Sequence, residues 1–376
     1  MDIENRLASQ NIHPDPASVA PTDEALSAAE EPLAPATETV SDLPENDIAL
    51  AKRLKAGYEQ VTTEVHKIIV GQNEVIEQML LTLFVGGNSI ITGVPGLAKT
   101  LLVQTLADVL ELEYARIQFT PDLMPADITG TEVIQQNPET GARNLQFVQG
   151  PVFTNILLAD EINRTPPKTQ SALLEAMQEH QVSAHGETYH LEEPFLVLAT
   201  QNPIELEGTY PLPEAQLDRF MFNIIIEHPP VEEERQVVHE TTKTKNVTFE
   251  RTITGPDIIA FQELVRRVPV SDTVMDFTVD MVRKTRPENP DAPDFIKQWI
   301  EYGASVRAAQ YLILGGKARA LLHGRYYVDF DDIRHLAGPV LRHRILTNFH
   351  AESERVTTDQ VIAQLLEAVS TPASRM

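Results

Sequence analysis

The chain has 376 residues, 42% apolar and 23% charged, proportions of a soluble protein that can bury a sizeable core and has room for about two domains. It contains no cysteine, which excludes a disulfide framework, a thiolate metal site and a cysteine nucleophile. A formal net charge of −25 works against non-specific affinity for a phosphate backbone, which is built from lysine and arginine contacts, and reads more simply as a solubilising surface.

Residues 1–47 are rich in Pro, Ala, Glu and Ser and hold no aromatic residue. Such a segment cannot bury enough apolar area to offset its ordering entropy, so a disordered acidic tail is expected. Met1 to Gln10 lacks the basic start and apolar stretch of a signal peptide, so a cytoplasmic location is expected. From Ile48 the pattern changes. Asn73 to Val85 carries Val75, Ile76, Met79, Leu80 and Leu83 at helical spacing. The longest apolar region, Met79 to Ala98, is broken by Thr82, Asn88, Ser89, several glycines and Pro95, which suits a strand and loop and no membrane insertion.

Short apolar runs follow at Ser89 to Thr92, Arg116 to Phe119, Ile156 to Asp160 and Phe195 to Thr200. Helical stretches separate them, which implies βαβ units and a mostly parallel sheet. Two segments look like added hairpins: Thr131 to Phe153, turning at Asn137, Pro138 and Gly141, and Gln181 to Leu191, turning at His185 and Gly186. After His228, Pro229 and Pro230 amphipathic helices dominate, among them Asp257 to Arg267 and Arg307 to Leu322. The fold class expected is α/β, with an αβα core over residues 48–230 and a smaller all-helical domain over residues 231–376.

Gly93-Val94-Pro95-Gly96-Leu97-Ala98-Lys99-Thr100 follows the first strand and opens the helix beginning at Leu101. A strand, a tight glycine-rich turn and a helix N-terminus place backbone N–H groups around phosphate oxygens, and the helix dipole adds positive potential. Lys99 would reach the β- and γ-phosphates of ATP, and Thr100 would offer its hydroxyl to Mg²⁺. Ala98 stands where a second glycine is usual; a negative φ, as in a helical first turn, would let alanine serve. The run Ile156 to Asp160, followed by Glu161, is an apolar strand ending in paired carboxylates, a Walker B pattern. Asp160 would hold Mg²⁺ through water, and Glu161 would polarise the attacking water. Asn202, at the tip of the next apolar strand, is placed to hydrogen-bond the γ-phosphate and that water.

Together Ile69-Val70-Gly71-Gln72, GVPGLAKT, LLADEINRTPPKTQSALLEAMQE, ATQNP and LPEAQLDRF resemble the MoxR family of AAA+ ATPases over roughly residues 55–365. The resemblance implies a P-loop NTPase core with a helical lid and a ring homo-oligomer, read as a hexamer. It also implies a chaperone-like activity on a protein client, with a von Willebrand factor A domain protein as a common partner. Val70, Gly71 and Gln72 match the segment that lies against adenine, Arg219 the arginine finger, and Arg307 the sensor-2 arginine of the lid. The two hairpins match the helix-2 insert and the pre-sensor-1 hairpin. Val306 stands where the family commonly has proline, which would loosen the start of the lid helix.

An always-charged planar fork at Arg219 suits phosphoryl transfer in cis or in trans; an ion pair with Asp218 or Glu214 is the alternative. The cluster Arg342-His343-Arg344 reads as a subunit or partner contact, and His323, His335, His343 and His350 lack metal-ligand spacing. Other functions left open are a nucleic-acid-stimulated motor and a magnesium-chelatase-like subunit, although no nucleic acid is expected.

Overall fold

The computed structural model describes residues 44–136, 143–184, 186–204, 208–243, 247–251 and 253–369. The expected tail lies outside them except at its end. Residues 45–47 are the first turn of α1 (Glu45–Val65), where the carboxylates of Glu45 and Asp47 favour a helix N-terminus. The hairpin turn residues Asn137, Pro138, Gly141 and His185 also lie outside the described set.

From α1 the chain enters α2 (Asn73–Val85), β1 (Ser89–Gly93), α3 (Lys99–Leu110) and β2 (Tyr114–Gln118). A short α4 (Pro125–Thr129) leads to the hairpin β3 (Gly130–Gln136) and β4 (Arg143–Gln149), then β5 (Ile156–Asp160) and α5 (Pro167–Glu179). A second hairpin, β6 (Gln181–Ala184) and β7 (Glu187–His190), precedes β8 (Leu196–Gln201), α6 (Glu214–Leu217) and β9 (Phe222–Ile226). The central sheet has the order β2-β5-β8-β1-β9, with every neighbouring pair parallel. All four runs read as strands are present, and β9 is a fifth. β5 is buried at every position and β8 at all but its last, which is why both appear as continuous apolar runs.

The helices continue as α7 (Val231–Thr241), α8 (Gly255–Arg267), α9 (Asp272–Lys284), α10 (Asp294–Trp299), α11 (Val306–Leu322), α12 (Phe330–Leu341), α13 (Phe349–Ser353) and α14 (Thr358–Ala368). This part is not wholly helical, because β10 (Ile300–Tyr302) pairs antiparallel with β11 (Leu346–Thr347).

Alternation along β5 divides the core. Ile156 and Leu158 face one apolar cluster, whereas Leu157 and Ala159 face another, beneath α5. The first cluster runs without a break from Leu54, Phe84 and Leu106 to Phe261, Leu312, Leu336 and Leu365, so the lid helices share a core with the helices on one face of the sheet. Phe84 of α2 meets Phe261 of α8 edge to face at 5.8 Å. Gly315 lets α11 approach closely: a Cβ there would lie 2.7 Å from Leu336 and 3.1 Å from Met221. That contact explains a residue that costs about 1 kcal/mol relative to alanine inside a helix. No described helix is long and apolar enough to cross a membrane.

Candidate functional site

β1 sits between β8 and β9, and its C-terminal end opens on the crevice edge of the sheet, where open α/β folds bind ligands. The chain leaves Gly93, turns through Val94, Pro95, Gly96 and the buried Leu97, and starts α3 at Lys99. Ala98 does not have the negative φ expected for it. It is the N-cap of α3, with φ 56° and ψ 23°, because the residue that admits the chain to a helix stands outside the helical region. For an L-residue that conformation costs roughly 1–2 kcal/mol, which glycine would avoid. Lys99 Nζ donates to Gly93 O at 2.7 Å, so its side chain folds back across the loop. Thr100 and Leu101 complete the first helical turn.

Asp160 and Glu161 lie at the same edge of the sheet. Asp160 Oδ1 accepts from Thr200 Oγ1 at 2.6 Å, and Oδ2 accepts from Arg116 Nε and Nη2 at 3.1 and 2.6 Å. Glu161, at φ 58°, donates its backbone N–H to the same Thr200 hydroxyl at 2.8 Å. Its Oε2 accepts from Gln118 Nε2 and Arg164 Nη1, both at 2.8 Å. Arg116, Gln118 and Thr200 were not among the residues expected from sequence. Arg116 and Gln118 stand two apart on β2, on one face of the sheet and beside β5, and that polar alternation was the available signal.

Asn202 is 5% exposed, and its Oδ1 accepts from the Ile204 N–H at 3.1 Å. Its Nδ2 is buried with no hydrogen-bond partner among the described residues. An orphaned buried donor costs about 1–3 kcal/mol, so a donor so placed suits an acceptor brought by a ligand. Gln72, Ala98 and Glu161 are three of the six non-glycine residues with positive φ among the described residues. Strained backbone of this kind gathers at functional sites.

A cleft of about 620 Å³ lies between Gln72, Val75 and Gln78, the end of β9 at Ile226, which pairs with Gly93, the segment Glu227 to Pro230, and Arg342 and Asp359 of the lid. Val70, Gly71 and Gln72 lead into α2 at its rim. Gly71, at φ 64°, fits here because a Cβ would lie 1.9 Å from Glu233 Oε2.

Arg307, in the first turn of α11, pairs through Nη1 with Asp218 Oδ2 at 2.9 Å. Ser305 caps this helix by accepting from the Arg307 N–H, so a hydroxyl fixes the start at which Val306 replaces proline. Arg219 is half-buried, and its side chain has no ion-pair or hydrogen-bond partner among the described residues. Asp218 is taken by Arg307 and Arg344, so the alternative of a structural Arg219 pair with Asp218 is not realised. Among the described residues neither Arg219 nor Arg307 bonds to the loop 93–100, Asp160, Glu161 or Asn202.

The cluster at 342–344 is not the outward contact expected. Arg342 donates to Asp359 and Asn223 O, while His343 and Arg344 are buried and bond to the backbone of residues 218–221. Burial, then the neighbouring Arg344 charge, holds the His343 imidazole well below its usual range, against the opposing pull of the Phe220 carbonyl. Unfolded, it titrates near pH 6.5. Between those two values the unfolded chain binds more protons than the folded one, so this contribution to stability is complete above about pH 6.5 and declines on acidification below it. Urea midpoints at about pH 7.5 and about pH 5.5 should therefore fall with acid, and His343→Gln, which keeps a donor for Phe220, should flatten the slope. Equal slopes would contradict the assignment.

Three comparisons bear on this arrangement. A family model described as the ATPase family associated with various cellular activities (AAA) matches residues 88–222, and one described as an AAA lid domain matches residues 295–365. Chaperone MoxR1 of Mycobacterium tuberculosis is 43% identical over 314 residues, 84% of this chain and 82% of that protein. The uncharacterized protein YeaC of Bacillus subtilis is 40% identical over 312 residues, 83% of this chain and 93% of its own. A crystal structure of a candidate ATPase from Cytophaga hutchinsonii superposes with a TM-score of 0.80 at 41% identity, covering 86% of this chain and 97% of that one.

Proposed function

The chain belongs to the MoxR family of AAA+ ATPases, and on that premise we propose that it binds ATP with Mg²⁺ at the β1 crevice, hydrolyses it at the interfaces of a ring, and thereby remodels or activates another protein. The observation that carries the catalytic part is the gathering of Lys99, Asp160, Glu161 and the orphaned Asn202 amide at one edge of the sheet. The triphosphate lies along the 93–100 loop, and the base enters the cleft beside Gly71 and Gln72.

The residues present fit a hard cation. Asp160 keeps a lone pair on Oδ1 beyond the Thr200 bond, and the Thr100 hydroxyl has no partner among the described residues. These two would hold Mg²⁺, which when bound neutralises charge on the β- and γ-phosphate oxygens. Glu161 accepts a hydrogen bond from the lytic water and polarises it through Oε1, which has no partner among the described residues. Water oxygen bonds to the γ-phosphorus as the bond to the bridging oxygen breaks, giving ADP and phosphate. Asn202 Nδ2 donates to the γ-phosphate and orients that water. Lys99 balances charge in cis, Arg307 reaches the nucleotide as the lid closes, and Arg219 serves the neighbouring subunit.

The similarity to the Mycobacterium chaperone supports a chaperone role, and the family resemblance supports a hexameric ring, a von Willebrand factor A domain partner and a cytoplasmic setting. Glu161→Gln, which should bind ATP without turnover, provides the bait. A protein retained by it and then purified should raise hydrolysis by the unaltered chain several-fold, and neither DNA nor RNA should. Stimulation by nucleic acid alone would replace this reading with a nucleic-acid motor.

A further inference from the structure

Backbone carbonyls removed from water need donors, and the segment Asp218 to Met221 draws its donors from a distant part of the chain. Arg344 Nη2 donates to Asp218 O at 2.8 Å and to Phe220 O, and Nη1 donates to Met221 O at 3.1 Å. Tyr311 Oη donates to Arg219 O at 3.0 Å, and His343 Nε2 to Phe220 O at 3.0 Å. Four consecutive carbonyls around Arg219 are thus held by three lid side chains.

Arg344 also bonds the Asp218 carboxylate through Nε at 2.9 Å and lies over the Tyr311 ring at 5.2 Å. Its side chain is 1% exposed. Burying a guanidinium is costly unless its donors are satisfied, and here all three nitrogens are used. Burial, opposed by the Asp218 charge, brings its pKa down to about 10, so it stays charged at neutral pH. Asp218 meanwhile takes Arg307 on its other oxygen, so one carboxylate joins the lid residue that serves the subunit's own nucleotide to the segment that carries Arg219.

We propose that Arg344 is a positioning residue for Arg219: with Tyr311 and His343 it fixes the 218–221 segment to the lid, so that a subunit's own lid presents Arg219 to its neighbour. This rests on the shared-site reading above and adds to it that lid position and finger position move together. The grip is on backbone, and the Arg219 guanidinium has no partner among the described residues, which leaves it for the partner subunit.

The test is a double-mutant cycle in the full chain, with assembly and ATP affinity measured for each variant. Arg344→Lys keeps charge but cannot span these acceptors, so kcat should fall about 10- to 100-fold, the effect of roughly 1 Å of misplacement, while the ATP Kd stays within about twofold. In an Arg219→Ala background the same substitution should cost nothing further, because the residue it positions is gone. Tyr311→Phe removes one donor without altering packing and should show the same non-additivity with a loss of about fivefold, so it carries the test if Arg344→Lys fails to fold. An equal loss in both backgrounds would overturn the proposal while leaving the shared site intact. Normal turnover by Arg219→Ala would overturn both.

Discussion

Arg219→Ala should bind ATP nearly as the unaltered chain does and hydrolyse it about 10³-fold more slowly or worse. The side chain makes no bond within its own subunit among the described residues, so its loss removes no fold contact of the kind that Asp218 makes with Arg307 and Arg344. What it removes is a planar cation for charge that spreads over the γ-phosphoryl oxygens only in the transition state, and such a contact affects kcat far more than ground-state affinity. Arginine fingers in other NTPases contribute about 10³ to 10⁵ in rate. A fall in ATP affinity equal to the fall in kcat/KM would instead mean that the residue binds ground-state nucleotide.

Lys99→Ala and Glu161→Gln should separate binding from turnover. Lys99 is the only lysine or arginine in the loop 93–100. Its Nζ, bonded to Gly93 O, needs only to swing toward the loop's ligand. Without it the loop offers the triphosphate backbone dipoles and no side-chain cation of its own, and nucleotide binding should drop below detection by calorimetry at ordinary protein concentrations. Glu161→Gln keeps Lys99, Thr100 and Asp160 and should bind ATP with ordinary affinity, yet turn over at less than about one hundredth of the normal rate, as expected for loss of general-base assistance. Glu161→Gln at normal rate would remove Glu161 from the water-activating role. Lys99→Ala with undiminished affinity would move the triphosphate elsewhere.

What the sequence made legible was whatever depends on neighbours in the chain. The loop Gly93 to Thr100 and the pair Asp160 and Glu161 are read from local spacing, because a strand end and a helix start bring them to one edge whatever the rest of the fold does. Ala98 was misjudged by a single position: it ends the loop and does not begin the helix, and that step changes the sign of φ. Arg116 and Gln118 depend on β2 lying beside β5, a register set by the sheet and not by either strand. β9 follows Arg219 so closely that its short apolar run merges with the motif before it. The buried place of Arg344 could not be read from the sequence, since Asp218 lies 126 residues earlier and the packing of α12 against β9 brings them together. A basic cluster near the end of an acidic chain suggests an outward patch until the burial of His343 and Arg344 is seen.

The central claim is that each nucleotide site is completed by a second copy of the chain, and mixing two inactive variants tests it most directly. Glu161→Gln subunits keep Arg219 but cannot activate water, and Arg219→Ala subunits keep a whole cis site but lack the finger. In mixed rings some Arg219→Ala sites face an intact Arg219, so hydrolysis should rise well above the sum of the two variants assayed apart and peak at an intermediate mixing ratio. A mixture no more active than that sum, or full activity from dilute chains that sedimentation shows to be monomers, would contradict it.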